Sequence, residues 1–324
     1  MIYRPRIFRL PKDRAIIQRT GLANRGLERM IQHLRRPHEG VIVGCNIGRN
    51  TSTPPENAPA DYLKLFRSLY QYADYFTVNI CCDNACRDGA SHSRESILRI
   101  LDPLFDFRRG QNQYRPIMLK VSPDMSDEAI DRISDILLTT PLDGIVATNG
   151  SLLRDGLQTS RESLDKIGNG RIGGAPLTAR TVEIVRRIHT RSGGNFPIIG
   201  VGGLMSADDV RAMLDAGADL VQLYTGYVYE GPALVGEICR ALIADAEKAA
   251  AEKAAAEKAA AEKATAEKAA AEKAAAEKAA AEKAAAEAAA EETVPESSAE
   301  AAAPESSAEA AAPESGAGHE APQA

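Results

Sequence analysis

The sequence lacks the features that would place a protein in a membrane or outside the cell. No run approaches the roughly 18 consecutive apolar residues that cross a bilayer, and the N-terminus has no apolar core of a signal peptide. Cysteine is scarce, and five residues are an odd number that does not suit a framework of disulfides. We therefore expect a cytoplasmic protein with reduced thiols.

An excess of positive charge is also absent, because the formal net charge is −6 at pH 7. Basic residues do cluster between Arg4 and Arg14 and again at Arg35 and Arg36. They lack the aromatic interleaving and the motif of a nucleic-acid-binding surface. We interpret them as a solvated face and expect no nucleic-acid partner.

Composition divides the chain into three predicted parts. Residues 1–245 contain the mixture of aliphatic, aromatic and glycine residues that a core needs, in a length typical of one β/α barrel domain. Residues 246–292 repeat Glu-Lys-Ala-Ala-Ala, which predicts a semi-rigid helical spacer. Residues 293–324 contain two copies of PESSAEAAA, in which proline interrupts helix, so we expect disorder. The sequence identifies no partner for this tail.

Short apolar runs alternate with helical spacing in the first part. Runs of this length are typical of parallel strands that are buried on both faces. The six runs are 41–48, 75–80, 116–122, 144–149, 197–203 and 220–226. The alternation predicts an α/β fold, either a β/α barrel or a doubly wound sheet. Ahead of the runs, 6–10 predicts a small edge strand or hairpin, and 27–34 predicts a helix.

Polar residues and glycines stand where each run passes into its loop. In a barrel these strand ends meet at one mouth, where active sites are assembled, whereas in an open sheet they do not all meet. Six such positions therefore favour the barrel. They are Asn46, Asn79, Lys120, Asn149, Gly202 with Gly203, and Thr225 with Gly226.

Two glycine-rich loops, 200–203 and 224–232, follow the last two runs. Glycine lets backbone N–H groups approach an anion, and two such loops in this order form the usual phosphate site of a barrel. Lys120 ends an apolar strand, where either an electron-rich ligand such as a flavin or an ion pair would be its partner. The nearby asparagines offer neutral donors and acceptors to a planar, amide-rich ligand.

A zinc site is an alternative use of the cysteines after the second run. Cys81, Cys82, Cys86 and His92 are ligands of the right type. Their spacing is loose and no second pair completes the set, so we predict no metal.

Taken in order, these motifs resemble the class 2, quinone-linked dihydroorotate dehydrogenase family. The resemblance covers about residues 4–243. It is carried by PRIFRL at 5–10, GLANR at 21–25, NIGRN at 46–50, VNI at 78–80, the Lys120 strand, GIVATN at 144–149, IIGVGG at 198–203 and LVQLYTG at 220–226.

The resemblance implies an FMN-linked β/α (TIM) barrel that oxidises dihydroorotate to orotate in pyrimidine biosynthesis, with quinone as electron acceptor. It implies that Cys82 is the catalytic base. The implied FMN-binding residues are Asn46, Lys120, Asn149, Gly174, Gly202, Gly203, Tyr224, Thr225 and Gly226. The implied substrate-binding residues are Asn24, Asn79, Asn84 and Asn149.

The chain departs from the family pattern at three places in the site. NICCDNACR at 79–87 stands where the class has Asn-Ile-Ser-Ser-Pro-Asn-Thr-Pro-Gly, although a cysteine base resembles the class 1 enzymes. GRIGG at 170–174 stands where the family has Gly-Gly-Leu-Ser-Gly, and Gly150 replaces a threonine beside Asn149. We expect a changed loop shape and the loss of several ligand hydrogen bonds.

The front of the chain departs as well, since family members have two further barrel strands and a membrane-binding helical segment before this point. We expect six of the eight barrel strands, and a mis-set start, a fragment or a decayed paralogue. An inactive paralogue or fragment that serves as a binding or scaffold protein is the alternative function. With the missing segment, the protein would lie at the periphery of the cytoplasmic membrane.

Overall fold

The computed structural model describes residues 6–21, 23–36, 39–81 and 93–291. The described strands form two sheets. The first sheet is antiparallel, with the order β1 (Ile7–Leu10), β2 (Ala15–Gln18) and β7 (Arg171–Gly174). The second is entirely parallel, with the order β3 (Gly44–Ile47), β4 (Tyr75–Asn79), β5 (Ile117–Val121), β6 (Gly144–Ala147), β8 (Ile198–Val201) and β9 (Leu220–Gln222).

Helices separate the parallel strands along the chain. They are α1 (Leu27–Leu34), α2 (Ala58–Leu69), α3 (Arg94–Arg109), α4 (Asp127–Thr139), α5 (Arg161–Ile167), α6 (Thr178–Ser192), α7 (Ala207–Asp215), α8 (Thr225–Glu230) and α9 (Ala233–Glu291). Four begin after a serine whose side chain accepts a hydrogen bond from a backbone N–H of the first turn, the usual N-cap arrangement. These serines are Ser93, Ser126, Ser160 and Ser206.

The six apolar runs form the six parallel strands, which confirms the predicted α/β fold with six barrel strands. Side chains of a strand alternate between its two faces. On the outer face, residues such as Phe76, Leu119 and Ile145 are buried in the main core with the apolar sides of the helices. Burial on both faces explains why these strands are continuous apolar runs in the sequence.

The inner face of the parallel sheet carries a separate apolar cluster. It consists of Met118, Val146, Ile199 and Val201, with Tyr75 packed against them. Gly44 makes room for this layer, because a Cβ there would come within 2.2 Å of the Tyr75 ring. The cluster fills the interior of the partial barrel below the carboxyl ends of its strands.

Strands β3 and β9 are the edges of the parallel sheet. In the described residues, no strand pairs with the outer side of either one. Leu220, at the start of β9, is 63% exposed, and Ile42, just before β3, is 78% exposed. The residues that a closed barrel would cover are therefore open to solvent at both edges.

Helix α9 contains both core residues and the repeat. Leu234 and Ile238, in its first two turns, are buried in the main core. The chain divides into compact units at residues 250 and 251, and in the second unit Lys and Glu four residues apart pair along the helix at 3.8–3.9 Å. The predicted boundaries at 245 and 292 stay predictions. None of the helices in the described residues is both long and apolar enough to span a membrane.

A charged network joins α3 to the amino ends of two strands. The Arg108 guanidinium, only 5% exposed, pairs with the Asp143 carboxylate and donates to the Pro141 carbonyl at 2.5 Å. Asp143 also accepts the backbone N–H of Ile117 at 2.7 Å and the Tyr114 hydroxyl. One carboxylate therefore fixes the starts of β5 and β6 against the helix layer.

We predict that Arg108→Met lowers the free energy of unfolding by about 2–4 kcal/mol, because it removes the ion-pair partner of the Asp143 carboxylate and the donor to the part-buried Pro141 carbonyl. Arg109→Met is the matched control: Arg109 follows on the same helix, its side chain is 73% exposed and pairs only with a neighbouring carboxylate. Its loss should cost less than about 0.5 kcal/mol. Urea unfolding measures both, and equal losses would contradict this account.

Candidate active site

The carboxyl ends of all six parallel strands border a single cavity of about 400 Å³. Each strand or the residue after it contributes a lining side chain or backbone segment: Asn46, Asn79, Lys120, Thr148, Gly202 and Gln222. Such convergence is expected for a barrel mouth and not for an open doubly wound sheet. The barrel interpretation is confirmed at this point, and the volume lies in the range of roughly 300–1,000 Å³ that ligand sites occupy.

The antiparallel sheet supplies another wall of the cavity. Strands β2 and β7 pair in register, with Ile16 opposite Gly173 and Gln18 opposite Arg171. These four residues line the cavity. The alternate side chains, such as Ile17 and Ile172, are buried in a second core cluster on the other side of the sheet. Along β2, the two-residue period thus directs Ile16 and Gln18 to the cavity and Ile17 to the core.

The cavity brings together every predicted cofactor residue. Asn46, Lys120, Asn149, Gly174, Gly202, Gly203, Tyr224, Thr225 and Gly226 all line it, and Asn79 lines it with them. The shared position of most of them was expected from the strand ends, and that of Gly174 and Tyr224 from the family resemblance. The roles of the individual residues stay predictions.

The other predicted site residues are not in this group. Asn24 is exposed, its side-chain oxygen accepts the backbone N–H of Gly26 at 2.8 Å, and it is not among the residues that line the cavity. Its neighbour Ala23 does line it. Cys82 and Asn84 lie outside the described residues, so their predicted roles as base and substrate ligand stay predictions.

Asn79 and Asn149 are held by a chain of hydrogen bonds between two strand ends. The Asn79 side-chain oxygen accepts the Cys81 backbone N–H at 3.1 Å and the Asn149 side-chain amide at 3.3 Å. The Asn149 side-chain oxygen accepts the Gly150 N–H at 2.9 Å. Because donors and acceptors alternate along this chain, both amides have fixed orientations at the cavity wall.

The glycines after β8 approach neighbouring backbone too closely to be replaced. Gly203 has a φ of +81°, and a Cβ there would lie 2.4 Å from the backbone nitrogen of Thr178. The Thr178 hydroxyl donates to the Gly203 carbonyl at 2.7 Å. On the other side of the loop, a Cβ at Gly226 in α8 would lie 2.2 Å from the Leu204 carbonyl oxygen. The two predicted anion loops are therefore packed against each other at the cavity.

The described thiols near the site are buried. Cys45 lies on the outer face of β3, in the main core, while its neighbour Asn46 lines the cavity. Burial, followed by the negative charge of Asp74, raises the pKa of the Cys45 thiol to about 11. The Cys81 thiol is fully buried and donates to the Lys120 carbonyl at 3.4 Å. Neither thiol is placed to act on a ligand in the cavity.

The alternative zinc site is not placed by the structure. Of its four residues only Cys81 is described, because Cys82, Cys86 and His92 lie outside the described ranges.

Several cavity residues were not predicted from the sequence, among them Ile16, Gln18, Thr148 and Arg171. Thr148 precedes Asn149 directly, and a polar residue inside an apolar run is a signal that could have identified it. Arg171 stands among glycines in GRIGG, and a single cation in a glycine-rich segment is a comparable signal. Ile16 and Gln18 carry no such signal, because their position depends on the pairing of β2 with β7.

Comparison with known proteins identifies the family of this chain. Residues 3–245 match the family described as Dihydroorotate dehydrogenase. A protein named Dihydroorotate dehydrogenase (quinone) from Christiangramia forsetii is 39% identical over 238 residues, which are 74% of this chain and 68% of that protein. The protein of that name from Thermosynechococcus vestitus is 40% identical over 252 residues, 76% of this chain and 68% of the relative. The chain belongs to the dihydroorotate dehydrogenase family.

Solved structures of the family agree with the fold. The crystal structure of DHODH from Eimeria tenella in complex with ferulenol matches with a TM-score of 0.69 and 27% sequence identity, covering 77% of this chain and 72% of that one. The ligand-free form from the same organism also matches with a TM-score of 0.69. The family resemblance predicted from the motifs is therefore confirmed, and the chain is an oxidoreductase of this family.

We predict that Gly203→Ala lowers the free energy of unfolding by about 2–4 kcal/mol, since it adds both backbone strain and an overlap with Thr178. Gly156→Ala is the control, because Gly156 also has a positive φ of +75° but no atom within 4 Å of its Cβ position. It should cost only about 1 kcal/mol. Thermal and urea unfolding compare them, and similar losses would show that packing at Gly203 has no effect.

We also predict that Cys45 resists alkylation in the folded protein. With its pKa raised to about 11, only about 0.1% of the thiol is ionised near pH 8, and the fraction rises only as the pH approaches the raised pKa. The exposed Cys239 should react at the rate of an ordinary thiol. Iodoacetamide labelling and peptide mass spectrometry measure both sites, and rapid labelling of Cys45 before urea is added would contradict the prediction.

Proposed function

We propose that this chain catalyses the FMN-dependent oxidation of dihydroorotate to orotate, with a quinone as electron acceptor. The observation that supports it most is the cavity at the strand ends of a dihydroorotate dehydrogenase family member. Among the described residues that line this cavity, none is Asp or Glu, whereas Lys120 and Arg171 are cationic. A cavity of this charge suits the anionic groups of both FMN and the substrate.

The donor set fits FMN. The loops after β8 and β9 meet where Gly226 packs against the Leu204 carbonyl, and the first backbone N–H groups of α8 have no acceptor within that helix. Backbone donors in glycine-rich loops at this end of a barrel suit a phosphate. Asn46 and Lys120 line the cavity from β3 and β5, where they would contact the flavin ring. FMN would supply the hydride acceptor that the side chains of the protein lack.

Lys120 would place positive charge where electron density accumulates during the reaction. It is half-buried on β5, two residues after Met118 of the inner apolar cluster, and pairs in register with Asn79. In a partly desolvated cavity a fixed ammonium stabilises developing negative charge more strongly than in water.

The two ordered asparagines would orient the substrate ring. The amide groups of Asn79 and Asn149 are already oriented by hydrogen bonds, so these side chains lose little conformational entropy when they bind a planar ring with N–H and C=O groups. Cys82, the proposed base, follows Cys81 in the sequence and would accept the proton from substrate C5. A thiol with an ordinary pKa near ~8.5 is a competent base for that step.

The quinone acceptor rests on the relatives, which are named as quinone enzymes. We propose the same acceptor class for this chain, and a cytoplasmic location at the membrane periphery.

The test is spectroscopic. We expect purified protein reconstituted with FMN to show flavin absorbance that dihydroorotate bleaches without oxygen and that a soluble quinone analogue restores. Lys120→Met should slow the bleaching by roughly 100-fold, because a preorganised charge is lost. Lys64→Met, at an exposed position of α2, is the control with unchanged rate. Protein that binds FMN but is not bleached by dihydroorotate would contradict the proposal and favour the binding-protein alternative.

A further inference from the structure

Arg171 is a cation on the cavity wall that the predicted site did not include. It lies at the start of β7, opposite Gln18 of β2. The following residue, Ile172, is buried in the second core cluster, so the two-residue period directs Arg171 to the opposite face. Arg171 is half-buried and lines the cavity with Asn79 and Asn149.

The guanidinium is attached to the same strand ends that hold the two asparagines. One terminal nitrogen donates to the Gly150 carbonyl at 2.9 Å, and the other donates to the Cys81 carbonyl at 2.9 Å. The N–H of Cys81 is bonded to Asn79, and the N–H of Gly150 is bonded to Asn149. Arg171 is therefore fixed beside the two asparagines on the cavity wall.

The charge of Arg171 is not balanced within the described part of the chain. Carbonyl oxygens accept two of its five N–H donors, and none of the described carboxylates forms an ion pair with it. Other arginines in this protein, such as Arg108 and Arg187, do pair with aspartates. A guanidinium that is fixed by two hydrogen bonds and has further N–H donors can bind a planar anion.

Position 150 leaves room for this side chain. A Cβ at Gly150 would lie 3.0 Å from the Arg171 Cβ and 2.9 Å from the Ile172 carbonyl oxygen. The absence of a side chain at 150 and the presence of a long one at 171 are thus parts of one arrangement.

We propose that Arg171 binds a carboxylate of the substrate, beside Asn79 and Asn149, and makes that negative charge a requirement for tight binding. This inference rests on the proposed function, because it assigns the carboxylate of orotate and dihydroorotate to this guanidinium. Arg171 is a specificity residue in this arrangement: its two carbonyl bonds fix its place, and its remaining donors recognise the ligand.

The test compares orotate with its neutral carboxamide by calorimetric titration of the FMN-loaded protein. The unaltered protein should bind orotate at least roughly 10-fold more tightly than the carboxamide. Arg171→Met should weaken orotate roughly 10- to 100-fold and the carboxamide less than about 3-fold, because only the first loses a charge-assisted bond. Arg171→Lys, which keeps the charge without the planar fork, should retain part of the preference.

Arg154→Met is the matched control. The Arg154 guanidinium donates to the Gly170 carbonyl, next to β7, but the residue is not among those that line the cavity. Its loss should leave the preference for orotate unchanged.

The outcomes separate the inference from the function on which it rests. If Arg171→Met lowers the affinity for both ligands equally, Arg171 has only a structural role. If the variant loses FMN while its affinity for the ligands is unchanged, Arg171 acts on the cofactor. Either result overturns the inference. Unchanged binding of both ligands overturns it as well. If the unaltered protein binds neither ligand, the proposed function fails with it.

Discussion

The two-residue period of side chains along six parallel strands is the constraint on which the structure depends. It sends one set of apolar residues outward to the helices and another set inward, where Met118 and Val146 fill the interior. Because the strands are parallel, the next inward positions all occur at one end of the sheet. Lys120 follows Met118 by two residues, and Asn79 follows Tyr75 by four. The polar end of the cavity is thus a direct continuation of the apolar interior.

The chemistry of the cavity depends on the loops that these strands carry. Hydrogen bonds among Asn79, Asn149 and Gly150 tie the ends of β4 and β6 together. The antiparallel sheet adds Arg171 to the same group and covers one side of the cavity. The glycine-rich loops after β8 and β9 offer backbone N–H groups that suit a phosphate, and Asn79, Asn149 and Arg171 offer amide and guanidinium groups that suit a smaller planar ligand. The proposed binding of FMN and of the substrate depends on these two groups of donors.

Much of this arrangement is local and could be predicted from the sequence. The six strands lie within the six apolar runs, helix α1 has its predicted bounds, and Ser126 begins α4 as expected. Strand β7 was missed because GRIGG has no apolar run and its partner β2 lies some 150 residues earlier in the chain. Such pairing is decided by tertiary contacts and not by local pattern. Ile16 and Gln18 of β2 were missed for the same reason, whereas Gly174 of β7 was predicted from the family resemblance.

The contact between positions 150 and 171 also constrains how such a site can change by mutation. A side chain at both positions would force β7 away from the loop after β6, since their Cβ atoms would lie 3.0 Å apart. The Ile172 carbonyl oxygen lies 2.9 Å from the same Cβ position at 150, so the loop and the strand are in close contact there along two atoms. A single substitution of Gly150 by threonine, the residue of the family pattern, therefore cannot be accommodated here without a shift of the backbone.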